Sequence, residues 1–369
     1  MSPIPSLLIL PSQQDGIPCL DITPFREGTD PLGVAKAFGS ALEQVGFVII
    51  TGHGIPEETI QTAYDKVLAF YDLPLEQKMA VAIPDRVKTR GYLPIGIESV
   101  AATRGAEVPY GEGRAAHDLC EALVFNNLFR EDPDAPQRGE DPDSGNLWPT
   151  EPQGLRAALL AYDAALHQLT ETLMRISALA LELPETYFLP FMEGKGGVLR
   201  AVHYPEQEKE PIPGQLRYGA HSDYGGFTLL RQDGAPGGLQ VYSSQGEWID
   251  VQAIPHSFVI NIGDLLARWT NDRWRSTLHR VVNPPREAFG SSRRLSLVYF
   301  TAPRDDAWIE CLPTCQDADN PPRYAPVRAG DYVRAKLDIS MLSGLGVEDE
   351  QGIPEGLVSG DPDGLGVDG

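Results

Sequence analysis

An antiparallel β sandwich or barrel, preceded by an α/β segment and a long backing helix, is the fold that this 369-residue sequence predicts. Three observations carry the expectation. The opening, Ile17 to Pro56, alternates a short strand (Cys19 to Ile22), an amphipathic helix (Leu32 to Val45) and a β-branched strand (Phe47 to Thr51) closed by Gly52-His53-Gly54. The stretch from Leu155 to Leu183 is rich in Ala and Leu, poor in Gly and Pro, and stops before Pro184, as one long helix would. After Gly197 short β segments follow at regular spacing with Gly, Pro and Asp between them: Val198 to His203, Phe227 to Leu230, Leu239 to Tyr242, Trp248 to Val251, Ser257 to Ile262, His279 to Val282 and Leu295 to Thr301.

Between these parts, Glu57 to Leu73 reads as a second helix and Asp85 to Pro149 as a long loop rich in Gly, Pro and charge. Ser343 to Gly369 is dense in Gly, Asp and Pro and reads as a flexible tail or a lid. Ordinary hydrophobic and charged fractions, 42% and 22%, indicate a folded globular chain. The net charge of −22 opposes binding to nucleic acid or an anionic membrane, so a small molecule is the expected partner. No apolar run approaches the ~18 residues of a membrane span. Four scattered cysteines suggest a reducing compartment and hence the cytoplasm; Cys311 and Cys315 form half a zinc pattern for which no second pair follows.

Two residue constellations point to chemistry. In extended backbone His221 and Asp223, two positions apart, face one side and can reach one ion together. His279, at the head of a β-branched run, is the candidate third ligand; His256 is its rival but precedes its strand rather than sitting in one. Two imidazoles and a carboxylate on one face of a metal leave the remaining positions open, the arrangement by which Fe(II) takes O2 and a second chelating molecule. Arg294 and Ser296 project to one face of an alternating strand that continues to Val298 and Phe300. A buried arginine needs an anionic partner, and either a protein carboxylate or a small dicarboxylate would supply it. With a 2-oxo acid at its other end to chelate iron, that dicarboxylate would be 2-oxoglutarate, held by a two-point bond to Arg294 and one more from Ser296. Tyr204, on the same strand face as Arg200 and Val202, could add a hydroxyl contact or pack in the core.

An ordered run of motifs joins these residues: Gly46-Phe47, Gly52-His53-Gly54, Arg90-Gly91-Tyr92, Asn146 to Pro149, His203-Tyr204-Pro205, Gly219 to Gly225, Asn261 to Asp264, Arg268 to Asp272, His279 to Pro284 and Arg294-Leu295-Ser296. From Ile17 to Leu337 the chain resembles the isopenicillin N synthase-like family of Fe(II)/2-oxoglutarate-dependent dioxygenases. The resemblance implies a double-stranded β-helix, or jelly roll, backed by helices, with iron held by His221, Asp223 and His279 and 2-oxoglutarate gripped by Arg294 and Ser296. It implies an N-terminal α/β region (1–150) packed on a core of backbone helix and jelly roll (151–342), followed by the tail (343–369). It also implies oxidation of a small organic molecule, by default hydroxylation, coupled to conversion of 2-oxoglutarate and O2 to succinate and CO2. Phe300, Tyr92 and Phe125 are expected to border the substrate, each with core packing as the alternative, and the protein to act as a monomer or small homo-oligomer. Two other functions stay open: an iron oxidase in which Arg294 and Ser296 hold the substrate's own carboxylate, and an inactive jelly roll that only binds a ligand.

Overall fold

A computed structural model of the chain describes residues 16–82, 90–100, 117–128 and 146–343. The N-terminal part forms β1 (Cys19–Asp21), α1 (Thr23–Arg26), α2 (Pro31–Gln44), β2 (Phe47–Thr51), α3 (Glu57–Tyr71), α4 (Leu75–Met79), β3 (Gly91–Leu93) and β4 (Glu121–Asn126). Then follow α5 (Leu155–Ala180), α6 (Leu189–Met192), β5 (Val198–Tyr204), β6 (Tyr218–His221), β7 (Phe227–Gln232), β8 (Leu239–Tyr242), β9 (Trp248–Asp250) and β10 (Phe258–Ile262). The chain continues through α7 (Asp264–Trp269), β11 (His279–Val281), β12 (Arg294–Phe300), β13 (Trp308–Ile309), β14 (Val327–Arg328) and α8 (Ala329–Ser343). The strands expected after Gly197 are all present near their expected bounds. The tail lies beyond the described residues from 344 onward. Among the described residues no helix is long and apolar enough to cross a membrane.

Eight strands pair in the order β1-β2-β10-β7-β12-β5-β4-β3, and four more in the order β6-β11-β8-β9. Strands from the first 126 residues therefore belong to the same sheet as strands from residues 198–300. The period of two along each strand divides the large sheet into two faces. On one face Leu295, Leu297 and Tyr299 of β12, Leu199 and Ala201 of β5, and Leu123 and Phe125 of β4 join a core with α2, α3 and α5. α5 supplies Leu155, Leu159, Tyr162, Leu166, Leu169, Leu173 and Ile176 to it, a stripe at the three- and four-residue spacing of a helix face. Residues on the other face pack toward the small sheet: Phe47, Ile49 and Val259 meet Leu239 and Val241, and Val202 and Tyr204 meet Val281. The cavity between the sheets is thus walled by β-branched and aromatic side chains, the jelly-roll arrangement.

Two expectations need correction here. The Asp85 to Pro149 stretch is not all loop, because β3 and β4 extend the large sheet at its edge, with Tyr92 opposite Leu123 and Gly91 opposite Val124. That register turns Tyr92 and Phe125 to the helix side, away from the cavity, so neither borders a substrate there. Tyr92 is 1% exposed and Phe125 0%; Phe125 stacks on Trp148 at 4.2 Å between centroids, and the Tyr92 hydroxyl donates to Glu121. Glu121 also receives Lys78 Nζ at 2.8 Å and His203 Nδ1 at 2.7 Å. Arg293 Nε donates to His203 Nε2 at 2.8 Å, which puts the ring proton on Nδ1. This network fastens the edge strands from behind and leaves the cavity face to other residues.

Candidate metal centre and cosubstrate pocket

His221 ends β6, and Asp223 follows in the turn that leads into β7. That turn is clamped by the start of α7: Asp264 N–H donates to the Asp223 carbonyl at 2.7 Å, and Gly263 N–H to the Gly226 carbonyl at 2.7 Å. A Cβ on Gly225 would stand 2.4 Å from the Thr301 carbonyl oxygen, so only glycine lets the turn lie this close to the end of β12. β11 pairs antiparallel with β6 and sets His279 directly opposite His221. The two rings lie 4.2 Å apart, and the Nε2 atoms of both stand 3.7 Å from Asp223 Oδ1. One potential ligand atom from each of the three residues lies within 4.8 Å of the others, the one such group of His, Cys, Asp or Glu among the described residues. His256, the rival, is exposed and pairs with Glu57 at 2.9 Å. Cys311 and Cys315 are free thiols outside any such group.

The surroundings prepare these atoms for a cation. His221 Nδ1 donates to the Gly219 carbonyl at 2.9 Å and His279 Nδ1 to the Thr277 carbonyl at 3.1 Å; a carbonyl only accepts, so each Nδ1 carries a proton and Nε2 is the ring atom turned toward Asp223. Burial, reinforced by neighbouring His279, pushes His221 down to about 3, so its imidazole stays neutral near pH 7. Burial alone would raise the Asp223 carboxyl, but His279 and His221, together with the hydrogen bonds from Thr228 and Asn261, hold it below the usual carboxylate range. Thr228 Oγ1 donates to Asp223 Oδ2 at 2.6 Å and Asn261 Nδ2 at 2.7 Å, which leaves Oδ1 facing the two imidazoles. Phe47 completes the setting with its ring edge-on to His279 at 5.4 Å. Two imidazoles that present Nε2 and one ionised carboxylate suit Fe(II), with coordination positions left over.

On β12 the strand face is as expected. Arg294, Ser296, Val298 and Phe300 share the cavity side, opposite Tyr204, Val202, Arg200 and Val198 of β5. Phe300 is half-buried beside Thr228, the residue that braces Asp223, and so flanks the metal centre. Arg294 is 2% exposed. Its Nη1 meets Asp233 Oδ1 at 3.3 Å and the Asp233 carbonyl at 3.1 Å, and its Nη2 meets Gln232 Oε1 at 2.6 Å. The protein carboxylate weighed as an alternative partner is therefore present, yet Arg294 Nε is buried with no partner. A second buried guanidinium, Arg217, lies 5.8 Å from the Tyr204 ring and donates only to backbone carbonyls, those of Pro236, Ser292 and Pro205. Burial, then Arg294, brings it down to about 10. Two cations against one partly exposed carboxylate leave the end of the cavity under-neutralised, which fits a dianionic cosubstrate.

Sequence reasoning did not single out Thr228, Asn261, Asp233 or Arg217. Asn261 stands inside a motif that was noticed, and period two from Phe227 would have put Thr228 on the cavity face.

Family models place residues 17–151 with the N-terminal region of non-haem dioxygenases in morphine synthesis, and 195–303 with the 2OG-Fe(II) oxygenase superfamily. The chain is 34% identical over 325 residues to the 2-oxoglutarate-Fe(II) type oxidoreductase hxnY of Emericella nidulans, covering 86% of this chain and 88% of that protein. It is 31% identical over 337 residues to the homoarginine-6-hydroxylase 2-ODD-233 of Oryza sativa, covering 87% and 96%. Among solved structures it is similar to a full-length Neurospora crassa protein in complex with alpha-KG and thymine, with a TM-score of 0.75 and 31% identity over 88% of this chain and 98% of that one. The chain belongs to the 2OG-Fe(II) oxygenase superfamily and is a 2-oxoglutarate-dependent dioxygenase that uses Fe(II) and O2 to oxidise a small molecule.

Proposed function

We propose that His221, Asp223 and His279 hold the iron, that Arg294, Ser296 and Tyr204 hold 2-oxoglutarate, and that a free small molecule bound beside Phe300 is hydroxylated. The observation that carries this reading is the division of labour at Asp223: Thr228 and Asn261 occupy Oδ2, and Oδ1 alone faces two imidazoles that turn Nε2 toward it while Nδ1 is taken by a backbone carbonyl. Relatives named as hydroxylases, among them the homoarginine-6-hydroxylase and the proline hydroxylase buaE, support hydroxylation as the outcome. Free cysteines and a net charge of −22 fit a cytoplasmic enzyme that does not bind nucleic acid.

When bound, the iron with its cosubstrate supplies the oxidising chemistry. The chain's own residues do the rest. Arg294 offers a fork of donors to the far carboxylate of 2-oxoglutarate, and Ser296, on the same strand face, adds a hydroxyl. Burial pushes the Tyr204 phenol up, so it remains a donor. Val202, Val298 and Phe300 exclude water from the cavity face between the cosubstrate and the substrate.

The direct test is anaerobic titration of the metal-free protein with Fe(II) and then 2-oxoglutarate. A metal-to-cosubstrate charge-transfer absorption is expected only when both are present, and its failure to appear would refute the reading. Thr228→Val removes one of two donors to Asp223 while nearly conserving volume. Iron affinity in that variant is expected to fall about 10- to 100-fold, the usual cost of losing an outer-shell partner, read as the Fe(II) concentration at half-maximal absorption. An unchanged affinity would mean that Thr228 does not orient the ligand.

A further inference from the structure

One charged pair on the cavity face has no part in holding iron or cosubstrate. Arg200 stands on β5 opposite Val298 and Val124, with Val198 and Val202 on either side of it along the same face. Its Nη1 donates to Glu98 Oε1 at 3.0 Å and its Nη2 to Glu98 Oε2, a two-point pair in which the side chains are 14% and 16% exposed. The guanidinium lies 5.6 Å from the Tyr218 ring centroid, and Tyr218 is edge-on to His221 at 4.9 Å. Arg200, Tyr218 and His221 thus form a chain of contacts that reaches the metal centre. A latch for the segment around Glu98 could be built more cheaply from apolar side chains, since a largely buried ion pair rarely outperforms hydrophobic packing of the same volume.

We propose, building on the reading above, that Arg200 and Glu98 together bind the polar end of the substrate, and that they select a charge-balanced group with a hydrogen-bond acceptor next to a donor. The two-point pair uses two of the five Arg200 N–H groups and one lone pair on each Glu98 oxygen. The remaining donors take an acceptor, and the remaining lone pairs take a donor, without the pair opening. A lone carboxylate would satisfy Arg200 and face the Glu98 charge; a lone ammonium would satisfy Glu98 and face Arg200. An α-amino acid zwitterion, or the cis-amide edge of a lactam or pyrimidine, meets both sides. Tyr218 and the surrounding valines accept the apolar body of such a molecule, and the carbon to be oxidised lies toward His221 and Phe300.

The test uses the full-length protein with Fe(II) and 2-oxoglutarate and a four-part panel: α-amino acids, cyclic amides and ureides, simple monocarboxylates, and simple amines. Stimulated succinate formation is measured in air, and perturbation of the charge-transfer absorption under anaerobic conditions. Stimulation confined to one or both of the first two groups is expected, and the group that responds identifies the source of the shared chemistry. For a molecule that stimulates, Arg200→Gln and Glu98→Gln should each raise KM about tenfold or more, the cost of a hydrogen bond to a charged group, with a smaller effect on kcat. Arg200→Lys should recover part of that loss. Both Gln variants should still give the cosubstrate absorption, which shows that they fold and load. Stimulation by monocarboxylates or amines, by neither of the first two groups, or an unchanged KM in both variants would overturn the proposal. Absence of the absorption from the unaltered protein would instead overturn the metal and cosubstrate assignment.

Discussion

His279→Ala should abolish substrate-dependent succinate formation and, in anaerobic titrations, the charge-transfer absorption. Removing an outer-shell partner of a ligand costs about 10- to 100-fold, so removing one of only three protein ligands should cost more than the upper end of that range. Misfolding would not explain the loss. His279 is one of three residues in β11, whose pairing with β6 and β8 rests on backbone hydrogen bonds that alanine keeps, and Val281 still fills the neighbouring core. His256→Ala is the matching control, since that ring is exposed and makes a surface pair with Glu57 worth at most about 1 kcal/mol. Full turnover in His279→Ala would remove His279 from the metal centre, and loss of turnover in His256→Ala would restore its old rival.

How the site could be read before the structure depends on the range of each signal. The pairing of His221 with Asp223 is a two-residue relation, and strand periodicity alone brings both to one side. His279 is distant in sequence, but its place at the head of a strand was enough, because antiparallel pairing with β6 could then bring it across from His221. Arg294 and Ser296 were legible for the same reason. What stayed hidden was the orientation of β3 and β4. A three-residue strand carries too little alternation to fix its faces, and β4 begins with Glu121, a residue that argues against a buried strand until Lys78, His203 and Tyr92 are seen around it. Tyr92 and Phe125 were consequently expected at the substrate and are found against the helices. Arg200 shows the converse. Its place on one strand face with Val202 and Tyr204 was legible in the sequence, but the pair it forms required Glu98, about one hundred residues upstream.

Arg294→Ala should raise the KM for 2-oxoglutarate by about 100-fold or more while leaving the protein folded. Breaking a buried, hydrogen-bonded charge pair costs about 3–5 kcal/mol, and each ~1.4 kcal/mol is a factor of ten. Much of that cost ordinarily comes from the partner left behind. Here Asp233 is 22% exposed and keeps three other donors, the Tyr64 hydroxyl at 2.6 Å and the Leu295 N–H at 2.7 Å on Oδ2 and the Ala235 N–H at 3.1 Å on Oδ1, so its carboxylate is not stranded. Loss of the cation should therefore fall mainly on the cosubstrate rather than on stability. Arg294→Lys separates charge from geometry: it keeps the cation but loses the planar fork, and an intermediate KM is expected. Comparing KM with the midpoint of denaturant unfolding decides the matter. A variant whose KM is unchanged while its unfolding midpoint drops would make Arg294 a strut for Asp233 and Gln232, and the cosubstrate's far carboxylate would then belong with Arg217, the other buried guanidinium at that end of the cavity.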